Sequence, residues 1–312
     1  MINTAKIYVA GTDTLIGSAI LDALKKEGYV NAAGGALSGS SEPIDAFFAA
    51  NRPEYVFLAA GKSGGIGANQ KYPADLMLDN LLVSSDVIRA AHRNGVRKLL
   101  YLASSCCYPR ECPQPMRVES LMTGPLEPTN QSYALAKLAG LELCRAYRAQ
   151  FGADFIMAIP ANAYGPGDDF SHEDSHVIAA LIRKMHEAKV SGDRHVELWG
   201  TGAAEREFIF APDLGAACVF LMNHYSSSTP INIGARSQRI SIADLARMIK
   251  DTVGFAGEIR FDRTHSDGMP RKILDSDVLR DLGWSPATDF RKALSATYDY
   301  FLQEHGKEFT HA

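Results

Sequence analysis

The 312-residue chain has no apolar run near the ~18 to 20 residues that a bilayer crossing needs, so no membrane-spanning helix is expected and no membrane partner. It also lacks a surplus of either charge. The 32 Lys and Arg residues stand against 36 Asp and Glu, a net charge of −4, which argues against nucleic acid as the main partner. Cysteine is scarce: the five residues, at 106, 107, 112, 144 and 218, are odd in number and form no CxxC pair. That pattern argues against a disulfide framework and against a zinc site, so no metal is expected. The first residues, Met1-Ile-Asn-Thr-Ala-Lys6, lack a secretory-signal pattern, and the expected location is the cytoplasm. No internal repeat and no low-complexity segment is present.

What is present is alternation. Strand-like apolar runs take turns with helix-period segments: Lys6–Ala10 then Leu15–Lys26, Tyr55–Ala59 then Pro73–Arg93, Lys98–Ala103 then Ser132–Gln150, and Asp154–Ile159. Such alternation predicts βαβ units and the α/β class, a doubly wound, Rossmann-like parallel sheet with helices on both faces. Gly34–Ser41 reads as a flexible hand-over from a second strand to a helix. Beyond about residue 161 the elements shorten: a helix Ser175–Ala188, a strand Val196–Trp199, helices Ile242–Val253 and Phe290–Gln303, a strand Glu258–Phe261 and a loop Ser266–Lys272. This predicts a dinucleotide-binding domain over 1–165 and a smaller α+β substrate lobe over 166–312, with some segments returning to the main sheet.

Within that frame the most informative pair is Tyr133 and Lys137. Four residues apart on a helix, they share one face. A phenol, with an ordinary pKa of ~10, becomes a usable acid or base when a neighbouring cation favours its ionised form. Upstream, the strand Lys98–Ala103 delivers Ser104-Ser-Cys-Cys-Tyr-Pro109 at its C-terminal end, where open α/β sheets place their ligands. The Ser104 hydroxyl there suits a substrate oxygen, in company with Tyr133. Cys144 and Cys218 fall in apolar helical patterns and read as core, whereas Cys106 and Cys107 sit at the strand end beside Ser104.

Gly11-Thr-Asp-Thr-Leu-Ile-Gly17 follows the first strand and opens a helix, the place of a dinucleotide fingerprint whose helix N-terminal amides receive a pyrophosphate. Its first and last glycines are present, but Thr14 stands where the middle glycine lets the backbone approach phosphate. Residues 28–41 hold neither an acid for a ribose hydroxyl nor a base for a 2′-phosphate. Asp13, within the loop, opposes a nearby 2′-phosphate by roughly 3 kcal/mol per charge at ~5 Å and an effective dielectric of ~20. NAD(H) is therefore a possible cofactor on residue chemistry.

The motifs together resemble the GDP-L-fucose synthase family, the 3,5-epimerase and 4-reductase group of the extended short-chain dehydrogenase/reductases. The likeness spans nearly the whole chain and is carried by Gly61-Lys-Ser-Gly-Gly-Ile-Gly-Ala-Asn69, Ser104–Pro109, Gly124-Pro-Leu-Glu-Pro-Thr-Asn-Gln-Ser-Tyr133, Asn162-Ala-Tyr-Gly-Pro166, Ser175-His-Val-Ile178, Trp199-Gly-Thr-Gly202, Arg206-Glu-Phe208 and Asp267-Gly-Met-Pro-Arg-Lys272.

The resemblance implies a catalytic trio of Ser104, Tyr133 and Lys137 and an epimerisation pair of Cys106 and His176. Inversion at carbons made acidic by a C4 ketone needs one group to take a proton and another to return it, and a thiol and an imidazole both exchange protons near neutrality. It implies NADP(H) held by Gly11, Thr14, Ile16, Gly17, Ala59, Lys137 and Asn162. It also implies a GDP-sugar held by Arg183, Trp199, Arg206 and Lys272, and a homodimer formed through helices of the nucleotide domain. The chain departs from the family at Thr14, where the family has a glycine, and at Asp13 and after the second strand, where it carries basic residues for NADPH. Two other readings therefore stay open: an altered nucleotide-sugar reductase or epimerase with changed cofactor use, and a non-catalytic nucleotide-sugar-binding homologue.

Overall fold

Apolar runs buried on both faces build the central sheet of this computed structural model, which describes residues 1–35, 44–172, 175–235, 239–265 and 267–306. In its first half the elements are β1 (Ile7–Ala10), α1 (Leu15–Lys26), β2 (Ala32–Gly35), α2 (Ile44–Asn51), β3 (Tyr55–Leu58), α3 (Ile66–Lys71), α4 (Pro73–Arg93), β4 (Lys98–Leu102), α5 (Gln131–Phe151) and β5 (Asp154–Pro160). Then come β6 (Asn162–Tyr164), α6 (Val177–Ser191), β7 (His195–Trp199), β8 (Glu205–Phe210), α7 (Ala211–His224), β9 (Ile231–Ile233), β10 (Arg239–Ser241), α8 (Ile242–Val253), β11 (Glu258–Asp262), β12 (Arg271–Lys272), α9 (Asp277–Asp281) and α10 (Phe290–His305).

Six parallel strands run in the order β2-β1-β3-β4-β5-β9. This is the Rossmann-like α/β arrangement that the alternation predicted. All of β4 and all but the first residue of β5 are buried, which is why they read as unbroken apolar runs. The chain passes to opposite sides of β1, with β2 on one side and β3 on the other. This opens the crevice at the strands' C-terminal ends where such sheets bind ligands. Segment 211–233 lies with this sheet, since β9 is its sixth strand and buried residues of α7 from Leu214 to Met222 join the main core.

A second core gathers Tyr164, Phe170, the buried face of α6 and residues of β7, β8, α8 and α10. Two small sheets serve it: β7 pairs with β11, and β8 is flanked by β10, β12 and β6. Caps set the helix ends. Ser241 and Asp289 accept the first amides of α8 and α10, and left-handed glycines 152, 192 and 254 stop α5, α6 and α8.

Several predicted ends move by one or two residues, and two elements change more. The helix expected at Ser175–Ala188 begins at Val177, because His176 is extended at its N-cap, and runs on until Gly192 ends it. The run read as a loop ends instead in β12, which pairs Arg271 and Lys272 with Glu205 and Arg206. Of the stretch expected to be flexible, Gly34 and Gly35 close β2, while 36–41 lie outside the described residues, as does Ser266 of the loop. Among the described residues no helix is long and apolar enough to cross a membrane, and no group of three His, Cys, Asp or Glu is placed to hold a metal ion.

Candidate active site

One cavity of about 1310 Å³ runs from the β1–α1 loop, past the ends of β3 and β4, to β12. That exceeds the ~300–1,000 Å³ of a pocket for one small ligand and gives room for two side by side.

At one end the β1–α1 turn is as tight as a dinucleotide fingerprint demands. Gly11 has φ +93°, and a Cβ on it would stand 2.5 Å from the Ala60 Cα. A Cβ on Gly17 would stand 1.9 Å from the Gly11 carbonyl oxygen, so helix and strand pack only because it is glycine. Thr14 shows how its position tolerates a side chain. It is the N-cap of α1, its hydroxyl accepting the Gly17 N–H at 3.0 Å and donating to the Gly11 carbonyl at 2.8 Å, with the Ala59 carbonyl at 3.4 Å. The hydroxyl is thus turned into the loop. One helix amide is used up, and those of Leu15 and Ile16 remain for a pyrophosphate. Asp13, Thr14, Ile16, Ala59, Lys137 and Asn162 all border the cavity, and Gly11 and Gly17 lie buried behind it. A dinucleotide fits this cradle.

Of the carboxylates that border the cavity beside the cradle, two are already paired with cations. Asp13, Asp79 and Asp86 border the cavity there, and Lys62, the cation beside them, is paired with Asp79 at 2.6 Å. Arg89 pairs with Asp86 at 2.9 Å.

At the other end, Ser104 caps a single turn at Ser105–Cys107, its hydroxyl accepting the Cys106 amide at 3.2 Å. The same hydroxyl lies near enough to the Tyr133 phenol to favour its ionised form. Burial raises the phenol above its ordinary value, and the neighbouring Cys106 adds to the rise while Ser104 offsets part of it. This overturns the expectation that Lys137 lowers it. The Lys137 ammonium lies 5.9 Å from the Tyr133 ring centre and 3.4 Å from the Leu102 carbonyl, and burial brings Lys137 itself down to about 8. Asn162 lies on β6, its amide donating to the Glu207 carbonyl at 3.2 Å.

Cys106 and Cys107 part company. Cys107 is fully buried against the Ala134 carbonyl, and burial pushes its thiol up to about 12. Cys106 is half-buried at the cavity wall, with the Lys272 ammonium and the Asn130 side-chain amide each 3.2 Å from its sulfur. Burial works to raise this thiol too, but the charge of Lys272, hydrogen bonds from Ser104 and Lys272, and the charge of Arg206 outweigh it, leaving it below its ordinary value. His176 opens onto the cavity from the N-terminus of α6, and its imidazole is held below the usual range by the surrounding protein first and by Lys272 second.

The four residues assigned to a nucleotide sugar all border the same cavity but are already engaged. Arg183 contacts Glu187 at 2.7 Å and the Phe170 carbonyl at 3.2 Å. Arg206 donates to the carbonyls of Glu205 and Asp267 at 2.9 and 3.1 Å. Trp199, 61% exposed, stacks on His265 with ring centres 4.3 Å apart. Lys272 is spent on Cys106, not held out toward solvent. The loop at 200–202 is tied down by Asp267, whose carboxylate accepts the Thr201 amide and hydroxyl at 2.7 and 2.6 Å.

Two participants were not singled out in the sequence. Asn130 lay inside the run Gly124–Tyr133 that carried the resemblance, but nothing local showed that it would face Cys106. Asp168 lines the cavity with its Oδ2 buried and unpartnered among the described residues, and burial pushes its carboxyl up to about 7.

Residues 7–234 match the NAD dependent epimerase/dehydratase family. The chain belongs to that family. It is 47% identical over 307 residues to GDP-L-fucose synthase 1 of Arabidopsis thaliana, an alignment that covers 96% of this chain and 94% of the relative. Among solved structures, a GDP-6-OMe-4-keto-L-xylo-heptose reductase from C. jejuni superposes with TM-score 0.92 at 30% identity, covering 98% of this chain and 99% of that one. A GDP-L-fucose synthetase from Naegleria fowleri bound to NADP superposes with TM-score 0.86 at 27% identity, covering 98% and 95%. Within this epimerase/dehydratase family, a Tyr133 and Lys137 pair beside a glycine-cornered βα loop is the arrangement of an NAD(P)-dependent enzyme.

Proposed function

We propose that this chain is a GDP-L-fucose synthase-like enzyme that epimerises a GDP-4-keto-6-deoxyhexose at C3 and C5 and then reduces it at C4. The observation that carries the reading is that Ser104, Cys106, Tyr133, Lys137 and His176 all border one cavity. The names of the relatives give the substrate class.

The chemistry follows from these residues. A sugar ketone against Ser104 and Tyr133 has its C4 oxygen polarised by two hydroxyls. The Cys106 sulfur, favoured as a thiolate, takes a proton from the carbon beside the ketone, and the electron pair left behind moves onto the C4 oxygen as an enolate. His176, held below its usual range, gives up a proton readily once it carries one and returns it to that carbon from the opposite face. Lys137 and Asn162 would hold a nicotinamide, which when bound would supply the hydride for C4. Tyr133 gives its proton to the forming alkoxide, a role served by a phenol that stays protonated until the charge develops.

For the cofactor, the reading is NAD(P)H with a preference for NADH. The Asp13 carboxylate in the β1–α1 loop supports this, because an added 2′-phosphate near it would meet like charge, whereas Asp79 and Asp86 are already paired with Lys62 and Arg89. Binding monitored by nicotinamide fluorescence separates the two cofactors. Two copies are proposed to associate through α4 and α5, where Leu78, Leu82 and Leu135 are exposed, and sedimentation checks it.

The test of the function is product analysis by NMR with GDP-4-keto-6-deoxymannose in deuterated water. Deuterium at C3 and C5 reports epimerisation, and the C4 configuration reports reduction. Binding of the sugar nucleotide and cofactors with no exchange and no turnover would overturn the reading.

A further inference from the structure

The geometry points to Lys272 as the residue that holds Cys106 as a thiolate and so makes it the base of the proton-abstraction step. This rests on the proposed function for the step, but not for the thiolate, which is a property of the free protein.

The ammonium of Lys272 lies 3.2 Å from the Cys106 sulfur, within the distance of a charge-assisted contact. Long surface lysines sample many positions, but this one is fixed along the chain on both sides. β12 pairs it with Arg206. The next two residues are held from buried side, with the Ile273 amide donating to Gln114 at 3.1 Å and the Leu274 amide donating to Glu207 at 2.8 Å. Glu207 is itself 1% exposed, and the Ile273 carbonyl accepts the Met116 amide at 2.7 Å. Among the described residues Lys272 makes no ion pair with a carboxylate, so its charge is directed to the sulfur.

On the sulfur's other side Asn130 donates at 3.2 Å, and the Ser104 cap fixes the Cys106 backbone. A half-buried sulfur with two donors, one of them a cation, is stabilised as an anion. Cys107 is an internal control. It shares the same backbone turn but has no cation in contact and is fully buried.

A lysine reserved for the diphosphate of the substrate makes a different prediction. Its removal would raise the KM for the sugar nucleotide and leave the thiol unchanged.

The test is the pH dependence of iodoacetamide alkylation of the free enzyme, read at each cysteine by peptide mass spectrometry, in the unaltered chain, Lys272→Met and Lys272→Arg. The expected half-point for Cys106 is below the ~8.5 of a free thiol. In Lys272→Met it moves up by about one unit, a roughly tenfold loss of thiolate near pH 7, and in Lys272→Arg it returns most of the way. Circular dichroism and unchanged protection of Cys107 show that each variant is folded. If Lys272→Met does not fold, Lys272→Gln, which keeps the stem and drops the charge, takes its place and is read in the same way. An unshifted Cys106 profile in folded Lys272→Met, or a half-point in the unaltered chain at or above a free thiol's, overturns the inference. A shifted profile without any deuterium exchange at C3 and C5 would leave the thiolate standing and remove the proposed function instead.

Discussion

At the end of the cavity proposed to react, Ser104, Cys106, Tyr133, Lys137, His176 and Lys272 arrive from four separate segments to border one space, with Cys106 held by Ser104 and Lys272, whereas the end proposed for adenosine combines a glycine-cornered turn, its middle position taken by Thr14, with the Asp13 carboxylate. The two ends answer to different demands. Proton transfer tolerates little displacement of the groups that perform it. A cofactor's remote phosphate contributes affinity and selectivity alone, and its contacts can change while the chemistry stays. The difference teaches that loop defects at one end say nothing against catalysis at the other. Thr14 makes the point: in place of a glycine it supplies its own helix cap, and the turn keeps its shape.

The largest effect is expected at the reacting end. Tyr133→Phe should lower the rate of C4 reduction by ~10²–10⁴ while deuterium exchange at C3 and C5 continues, measured by NMR on one sample. Near-normal reduction by the folded variant would remove Tyr133 as the proton donor.

Next comes a stability effect at the same end. Lys137, buried and brought down to about 8, is a charge the fold would sooner not carry, and below that pH it is protonated in both folded and unfolded chains. Between about 8 and the ordinary lysine value of ~10.4 the unfolded chain binds more protons, so stability rises with pH across that window. Lys137→Met should therefore unfold in urea with about 1–3 kcal/mol more stability at pH 7, and the gain should shrink toward pH 10, while reduction is lost.

The third expectation concerns the adenosine end. Asp13→Arg replaces a like charge with an attractive one, and should raise the NADPH to NADH ratio of kcat/KM by about tenfold, with C3 and C5 exchange unmoved. The smallest is Thr14→Ala, which removes the cap of α1 and should cost ~1 kcal/mol in denaturant unfolding. Thr14→Gly should cost less, and an equal loss from both would mean that the hydroxyl has no capping role.

Much of this was legible in the sequence because the relevant signals are local. The strand-then-helix alternation gave the sheet, and Leu15–Lys26, Pro73–Arg93 and Ile242–Val253 matched the observed helices residue for residue, each bounded by a Pro or a polar cap or by glycine shortly after. Cys144 and Cys218 were readable as core because an apolar helical face leaves a thiol nowhere else to go. What stayed hidden depended on contacts distant in the chain. Nothing near Lys272 says that residues 271–272 pair with β8 and so aim its ammonium at Cys106, 166 positions away. Nothing in the dipeptide Cys106-Cys107 says which sulfur faces the cavity. The Tyr133 expectation failed for a related reason: spacing places a lysine one turn away, but only the folded surroundings show that its ammonium stands 5.9 Å from the ring centre and that burial raises the phenol.

The most direct measurement is the isotope pattern of the sugar after incubation with GDP-4-keto-6-deoxymannose in deuterated water, first without cofactor and then with NADH. Deuterium at both C3 and C5 before any reduction, its loss in Cys106→Ser, and C4 reduction only after NADH is added are the predicted results. Reduction that proceeds with no deuterium at C3 or C5 would contradict the account, because Cys106 and His176 would then have no part in the reaction.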